Sequence, residues 1–126
     1  MYKALSGHAI GIKAPLAEMA ALAKKGGFQG VEVGLQEIED LGADKAKEIL
    51  SQHGLRPAGA GLPVNYKESE QQYRDTFESL PRLAKIAQEI GCTRINTFIW
   101  PCSDELTFRQ NYKKHVERLR PVAEVL

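Results

Sequence analysis

Three glycines constrain the architecture more than any other feature of the chain. Gly27, Gly54 and Gly91 each end a run of apolar residues at helical spacing, and each stands directly before an extended run. A helix that stops abruptly commonly does so on a residue in the left-handed region, which glycine enters without steric penalty. A chain that stops a helix and starts a strand three times over predicts alternating helix and strand. Such alternation implies parallel strands joined by right-handed crossovers.

The first stop is the most informative. In Gly26-Gly27-Phe28-Gln29-Gly30-Val31-Glu32-Val33, the valines fall on one side of an extended run and Gly30, Glu32 and Gly34 on the other. A carboxylate there must face a pocket, a partner or water, because burying an unpaired charge is costly.

The remaining elements follow in order. A first strand is predicted over 3–10, ending in Gly7-His8. Pro15 suits the first turn of a helix that carries Leu16, Met19, Ala20, Leu22 and Ala23. The second strand is 30–35, and a polar loop follows it. A helix over 44–53 takes Asp44 as its N-cap, with Ala46, Ile49 and Leu50 inward. The third strand is 56–62, with Pro57 near its start, where it is tolerable. Ser69 caps a long helical pattern from Tyr73 to Ile90, and Pro81 inside it predicts a kink or two abutting helices. The fourth strand is Thr93–Ile99, closed by Trp100-Pro101. A last helix carries Phe108, Tyr112, His115, Leu119, Val122 and Leu126 on one stripe, with a bend at Pro121. With no linker or low-complexity segment, 1–126 reads as a single domain.

Charge and composition exclude several classes. Formal net charge is +1, which exerts no long-range pull on nucleic acid or anionic lipid. There is no apolar run of about 18 residues to span a membrane. The opening residues turn polar too soon for a signal peptide, so a cytoplasmic location is expected. Cys92 and Cys102 lack metal-type spacing and make a poor disulfide scaffold.

Glu32 is the best single site candidate. It would accept from a ligand hydroxyl at the end of strand two, or else form an ion pair with Arg56 or Arg94. His8, at the end of strand one, is a candidate hydrogen-bond partner or proton carrier. Asn96 and Trp100 share a face of strand four, and Trp100 would stack on or cover a pocket, or simply pack. Tyr66 and Asn65, with Leu62 and Pro63, would line the third loop. His53 ends a helix and suits its negative end, while His115 reads as a packed histidine. Glu37, Glu39 and Asp40 read as a solvated acidic loop. The histidines show no ligand spacing, and no metal or catalytic residue is assigned to the chain.

The stretches GGFQGVEVG, AGAGLPVNY, IGCTRINTFIWP and HVERLRPVAEVL resemble the N-terminal half of the xylose-isomerase-like barrels. That superfamily includes sugar-phosphate isomerases and epimerases, inosose dehydratases, hydroxypyruvate isomerases and endonuclease IV. The resemblance implies half of a TIM (β/α)8 barrel with parallel strands, the whole being about 250 residues. It implies a small sugar or sugar phosphate as substrate. It also implies a divalent metal (Mn, Mg, Co or Zn) held at the ends of strands five to eight, positions outside these residues. Endonuclease IV-like members place zinc-binding histidines after strands three and four. Here those places hold Leu62-Pro63 and Asn96-Thr97-Phe98, which argues against DNA repair.

Half a barrel leaves two open sheet edges and an uncovered face. Self-association, most simply a homodimer, or pairing with a partner half-barrel is therefore expected. The leading functional expectation is the N-terminal half of a metal-dependent sugar isomerase or epimerase that supplies substrate-pocket walls and is inactive alone. The alternatives are a non-catalytic half-barrel module, natural or engineered, and a fragment of an inosose-dehydratase-like lyase.

Overall fold

Four strands form one parallel sheet whose spatial order is the chain order: β1 (Ala4–Leu5), β2 (Gly30–Val33), β3 (Arg56–Gly61) and β4 (Ile95–Asn96). Helix α1 (Leu16–Lys25) joins β1 to β2. Helices α2 (Leu35–Leu41) and α3 (Ala43–Gln52) join β2 to β3. Helix α4 (Glu70–Glu89) joins β3 to β4, and α5 (Phe108–Val125) follows. The computed structural model describes all residues, Met1–Leu126. The α/β arrangement of four βα units is the one the helix-stopping glycines imply.

Those glycines act in the same way three times. Gly27, Gly54 and Gly91 have φ of 71°, 63° and 74°. After each, the next residue's N–H turns back to a carbonyl in the last helical turn: Phe28 to Ala23 at 2.9 Å, Leu55 to Leu50 at 2.9 Å and Cys92 to Ala87 at 2.8 Å. The glycine's own N–H bonds a second carbonyl: Lys24 at 3.1 Å, Ser51 at 3.0 Å and Gln88 at 3.0 Å. This paired closure satisfies carbonyls that the helix leaves without partners.

Both outer strands are shorter than predicted. Residues 3–10 give a two-residue β1 and then a 3-10 turn over His8–Ile10, and Thr93–Ile99 gives only Ile95–Asn96. Each lies at an edge of the sheet, with ladder partners on one side only. Inside the sheet the β2–β3 register slips between Val31 and Glu32, so that Val31 pairs with Pro57 and Glu32 with Gly59. Pro57 cannot donate to a ladder, and the irregularity beside it fits that loss.

The polar loop predicted after β2 is instead helix α2. Leu35 and Ile38 are buried one turn apart, and burial of that stripe outweighs the four polar residues of the helix. Asp44 does not cap α3, because Gly42, with φ of 90°, holds that position. Asp44 falls in the first helical turn and pairs with Lys47 at 2.7 Å. That hydrogen bond and its charge hold the Asp44 carboxyl below its ordinary value. Helix α4 continues through Pro81 as one element rather than two. Its start is capped as predicted: the Gln72 N–H donates to Ser69 Oγ at 3.3 Å, and the Ser69 N–H donates to Gln72 Oε1 at 3.3 Å. Helix α5 likewise runs through Pro121, and Thr107 with Gln110 forms a capping box at its start.

The chain divides into two compact units, Met1–Leu62 with Lys85–Asn96, and Pro63–Ala84 with Thr97–Leu126. The first holds the whole sheet. There α1 packs on α3 and β2, α2 on α3, and α3 on β3, around the fully buried Val31 and Ile38. Burial of such a side chain contributes about 2 kcal/mol. In the second unit Leu80, Leu83, Tyr66 and Val122 are buried. Both cysteines are free thiols. No helix is long and apolar enough to cross a membrane.

Candidate functional site

The first unit places one carboxylate between two clefts along its sheet. A cleft of about 350 Å³ is lined by Gly7, His8, Lys13, Glu32, Gly34 and Glu37, among others. A smaller one of about 180 Å³ is lined by Ser6, Glu32, Ala58, Gly59 and Asn96, with Ala4 and Leu5. Glu32 borders both. It is half-buried, between the buried Val31 and Val33 of β2.

Glu32 is held by donors rather than by cations. Ser6 donates its hydroxyl to Oε2, and Asn96 donates its amide to Oε1 at 2.8 Å. The ion pair with Arg56 or Arg94 that the sequence left open is not what holds it. The Arg56 guanidinium lies over the Tyr2 ring, 5.6 Å from its centre. The amide reaches the carboxylate across β3, where the register puts Gly59 beside Glu32 and Gly61 beside Asn96. Each carboxylate oxygen retains a lone-pair direction after accepting one hydrogen bond, so Glu32 can still accept from a molecule in either cleft.

His8 and Asn96 are exposed, and each lines one of the clefts that share Glu32. The structure therefore brings three predicted residues together. Ser6 and Lys13 were not singled out from sequence. Ser6 follows the last residue of β1, at the strand end where such sheets bind ligands, and that position was its only signal. Glu37 had been grouped with a solvated acidic loop. It sits in the first turn of α2 and accepts the Leu16 N–H at 2.6 Å. Pro15, the N-cap of α1, makes no side-chain cap, so a carboxylate from another helix satisfies that helix start.

Tyr66 and Trp100 belong to the second unit. Tyr66 is buried and donates its hydroxyl to the Phe98 carbonyl, with the His115 ring edge-on at 5.2 Å. Its hydroxyl proton is thus committed to the backbone. Trp100 is half-exposed and carries the Lys67 ammonium 4.7 Å from its ring centre. Arg118, also missed, donates to the carbonyls of Tyr66 at 2.8 Å and Glu68 at 2.7 Å, and to Glu70 at 2.9 Å. Together with Arg74 it holds the Glu70 carboxyl below its ordinary value; the Arg74 hydrogen bond is the larger cause. His53 bonds the Ile49 carbonyl through Nδ1 at 3.0 Å, within its own helix end. His115 is packed, as expected.

No three His, Cys, Asp or Glu side chains are arranged to hold a metal ion. The resemblance places the divalent metal's ligands outside these residues, so no residue of this chain is assigned to it.

Nearly the whole chain superposes on solved barrel structures. A xylose isomerase domain protein from Alicyclobacillus acidocaldarius matches 97% of this chain over 47% of its own, at 23% identity and a TM-score of 0.69. The 3-keto-D-glucoside 4-epimerase of E. coli matches 99% over 52%, at 17% identity and 0.72. A probable 3-DHS dehydratase from Bacillus anthracis matches 99% over 48%, at 18% identity and 0.70. The fold is that of the xylose-isomerase-like TIM barrels. The chain spans about half the length of the structures it matches, so its four parallel βα units amount to half of such a barrel. No protein-family model and no curated protein matches it.

Proposed function

We propose that these residues are the N-terminal half of a metal-dependent isomerase or epimerase acting on a small sugar or sugar phosphate, and that they supply the walls of its substrate pocket. One observation carries the reading: Glu32 is fixed by Ser6 and Asn96 between two clefts, with acceptor capacity left over. A fixed carboxylate that accepts paired hydroxyls is a suitable sugar contact, because charge-assisted hydrogen bonds are short and orienting. His8 stands at the rim of the larger cleft as a second hydrogen-bonding group.

In this reading the half orients substrate and moves no proton by itself. Chemistry at the metal belongs to the other half of the barrel, which completes the pocket. Free thiols suit the reducing cytoplasm in which we place it. The structural match to a probable dehydratase supports a lyase on the same scaffold as the second reading, with the same pocket walls and a different reaction. A binding module without chemistry is the third.

Titration with a ketose such as D-fructose, followed by backbone amide shifts, tests the assignment. Shifts should cluster at residues 6–13, 32–37 and 96. No shifts, or shifts confined to other residues, would overturn the pocket. Epimerised product formed by this chain alone would overturn the assignment of walls without chemistry.

A further inference from the structure

The larger cleft beside Glu32 carries a second carboxylate with a task of its own. Glu37 is half-buried and lines that cleft from the first turn of α2. Its Oε1 accepts the Leu16 N–H at 2.6 Å, at the start of α1, where Pro15 supplies no side-chain cap. A helix start with free N–H groups is a ready place for a phosphate, because those groups and the helix dipole both favour an anion. At this cleft the place is already taken, by an anion built into the chain. The other oxygen, Oε2, is left to accept. It lies 3.8 Å from where a Cβ on Gly34 would stand, beside another residue that lines the cleft.

We propose that Glu37 makes this cleft selective for an unphosphorylated sugar over a sugar phosphate, an inference that rests on the pocket reading above and narrows its substrate class. The balance of charge sets the direction. Both carboxylates are fixed by hydrogen bonds, Glu32 from Ser6 and Asn96 and Glu37 from the Leu16 N–H. Lys13 is the only lysine or arginine that lines the cleft, and it is exposed. Its long stem must give up rotamer freedom before it can hold a phosphate, whereas the carboxylates are already in place. Two fixed anions against one mobile cation leave a net repulsion toward a phosphate, and the walls of a cleft strengthen it. A neutral sugar meets none of that repulsion. Its hydroxyls bring donors to oxygens that can only accept, and His8 at the rim can donate or accept.

Amide-shift titrations of the intact chain with D-fructose and with D-fructose 6-phosphate test this at about pH 8, where the phosphate ester carries close to two charges. At low salt the ester should occupy the cleft at least about tenfold more weakly than the free sugar, the order of one like-charge contact near a protein surface. Two changes should narrow that ratio. Glu37→Gln keeps an oxygen for the Leu16 N–H and removes the charge, so the ratio should fall at least about threefold. Salt at about 1 M shortens the screening length to about 3 Å and should narrow the ratio in the unmodified chain, a check that needs no variant to fold. A Glu37 that only caps α1 would change stability and leave the ratio where it was, which overturns the proposal. So does an ester that binds as tightly as the free sugar, or a ratio that widens with salt, since either makes Lys13 a phosphate contact. Failure of the pocket itself looks different: neither ligand then shifts residues 6–13 or 32–37, and both readings fall.

Discussion

Asn96 donates to Glu32 at 2.8 Å across a strand that separates them by 64 positions in sequence. It spans β3, where Gly59 stands beside Glu32 and Gly61 beside Asn96 in register. It converts a lone strand carboxylate into a fixed acceptor with the Ser6 hydroxyl on its other oxygen.

Glu32→Gln separates binding from stability. The Asn96 amide can keep donating to the new carbonyl oxygen, and the Ser6 hydroxyl can turn to accept from the new amide. Stability by urea denaturation should change by less than about 0.5 kcal/mol. Affinity for a ketose should fall about tenfold, because a charged acceptor becomes a neutral one. A stability loss with unchanged affinity would make Glu32 a structural group only.

The three helix-stopping glycines should respond alike to alanine. A new Cβ meets nothing within 4 Å at Gly27 or Gly91, and only the Lys24 ammonium at 3.7 Å at Gly54. The cost is then the backbone's alone, about 1 kcal/mol each for a left-handed residue with a side chain. Gly30→Ala differs in kind. Its Cβ would lie 2.8 Å from the Tyr2 ring and 3.1 Å from the Arg56 carbonyl, so about 1–3 kcal/mol of overpacking is expected. Thermal melts of the four variants decide whether the split is real.

Ile38→Ala tests the helix found where a loop was predicted. The side chain is fully buried, and truncating such a residue costs about 2–5 kcal/mol. A solvated loop residue would change stability by less than about 0.5 kcal/mol. Urea midpoints of variant and parent distinguish the two.

Glu70 should contribute to the acid limb of stability. Hydrogen bonds from Arg74, and secondarily from Arg118, lower its carboxyl pKa in the folded chain. A lowered folded pKa means the unfolded state binds the proton more readily. The contribution is therefore present above the unfolded carboxylate value of 4.5 and is lost as pH falls through the lowered folded value. Glu70→Gln should flatten the stability profile over that acid window and leave its shape near neutrality unchanged. An unaltered acid limb would refute the linkage.

Much of the architecture was legible because it depends on local rules. Helix-stopping glycines, apolar periodicity and the Ser69 cap all act within a few residues, and each performs as the chain order suggests. The misreadings have tertiary causes. The stretch 35–41 looked like a loop because polar residues dominate it, yet only two buried positions are needed to hold a short helix. Edge strands were read too long because side-chain alternation continues past the point where a neighbouring strand can pair. Glu37 looked like solvent-facing charge because the helix start it caps lies 21 residues away.

The candidate site divides along the same line. Glu32, His8 and Asn96 stood out because residue type and strand position can be read from the chain. Whether Glu32 would meet an arginine, a hydroxyl or an amide depended on register across three strands, and a register slip beside Pro57 leaves no trace in local composition. Alone, the sequence determined the alternation of helix and strand, since backbone geometry at glycine and the period of apolar residues are short-range properties. Only the tertiary structure decided which donors surround the carboxylate and which phenol is tied to backbone. Those outcomes come from contacts between residues that the chain order keeps far apart.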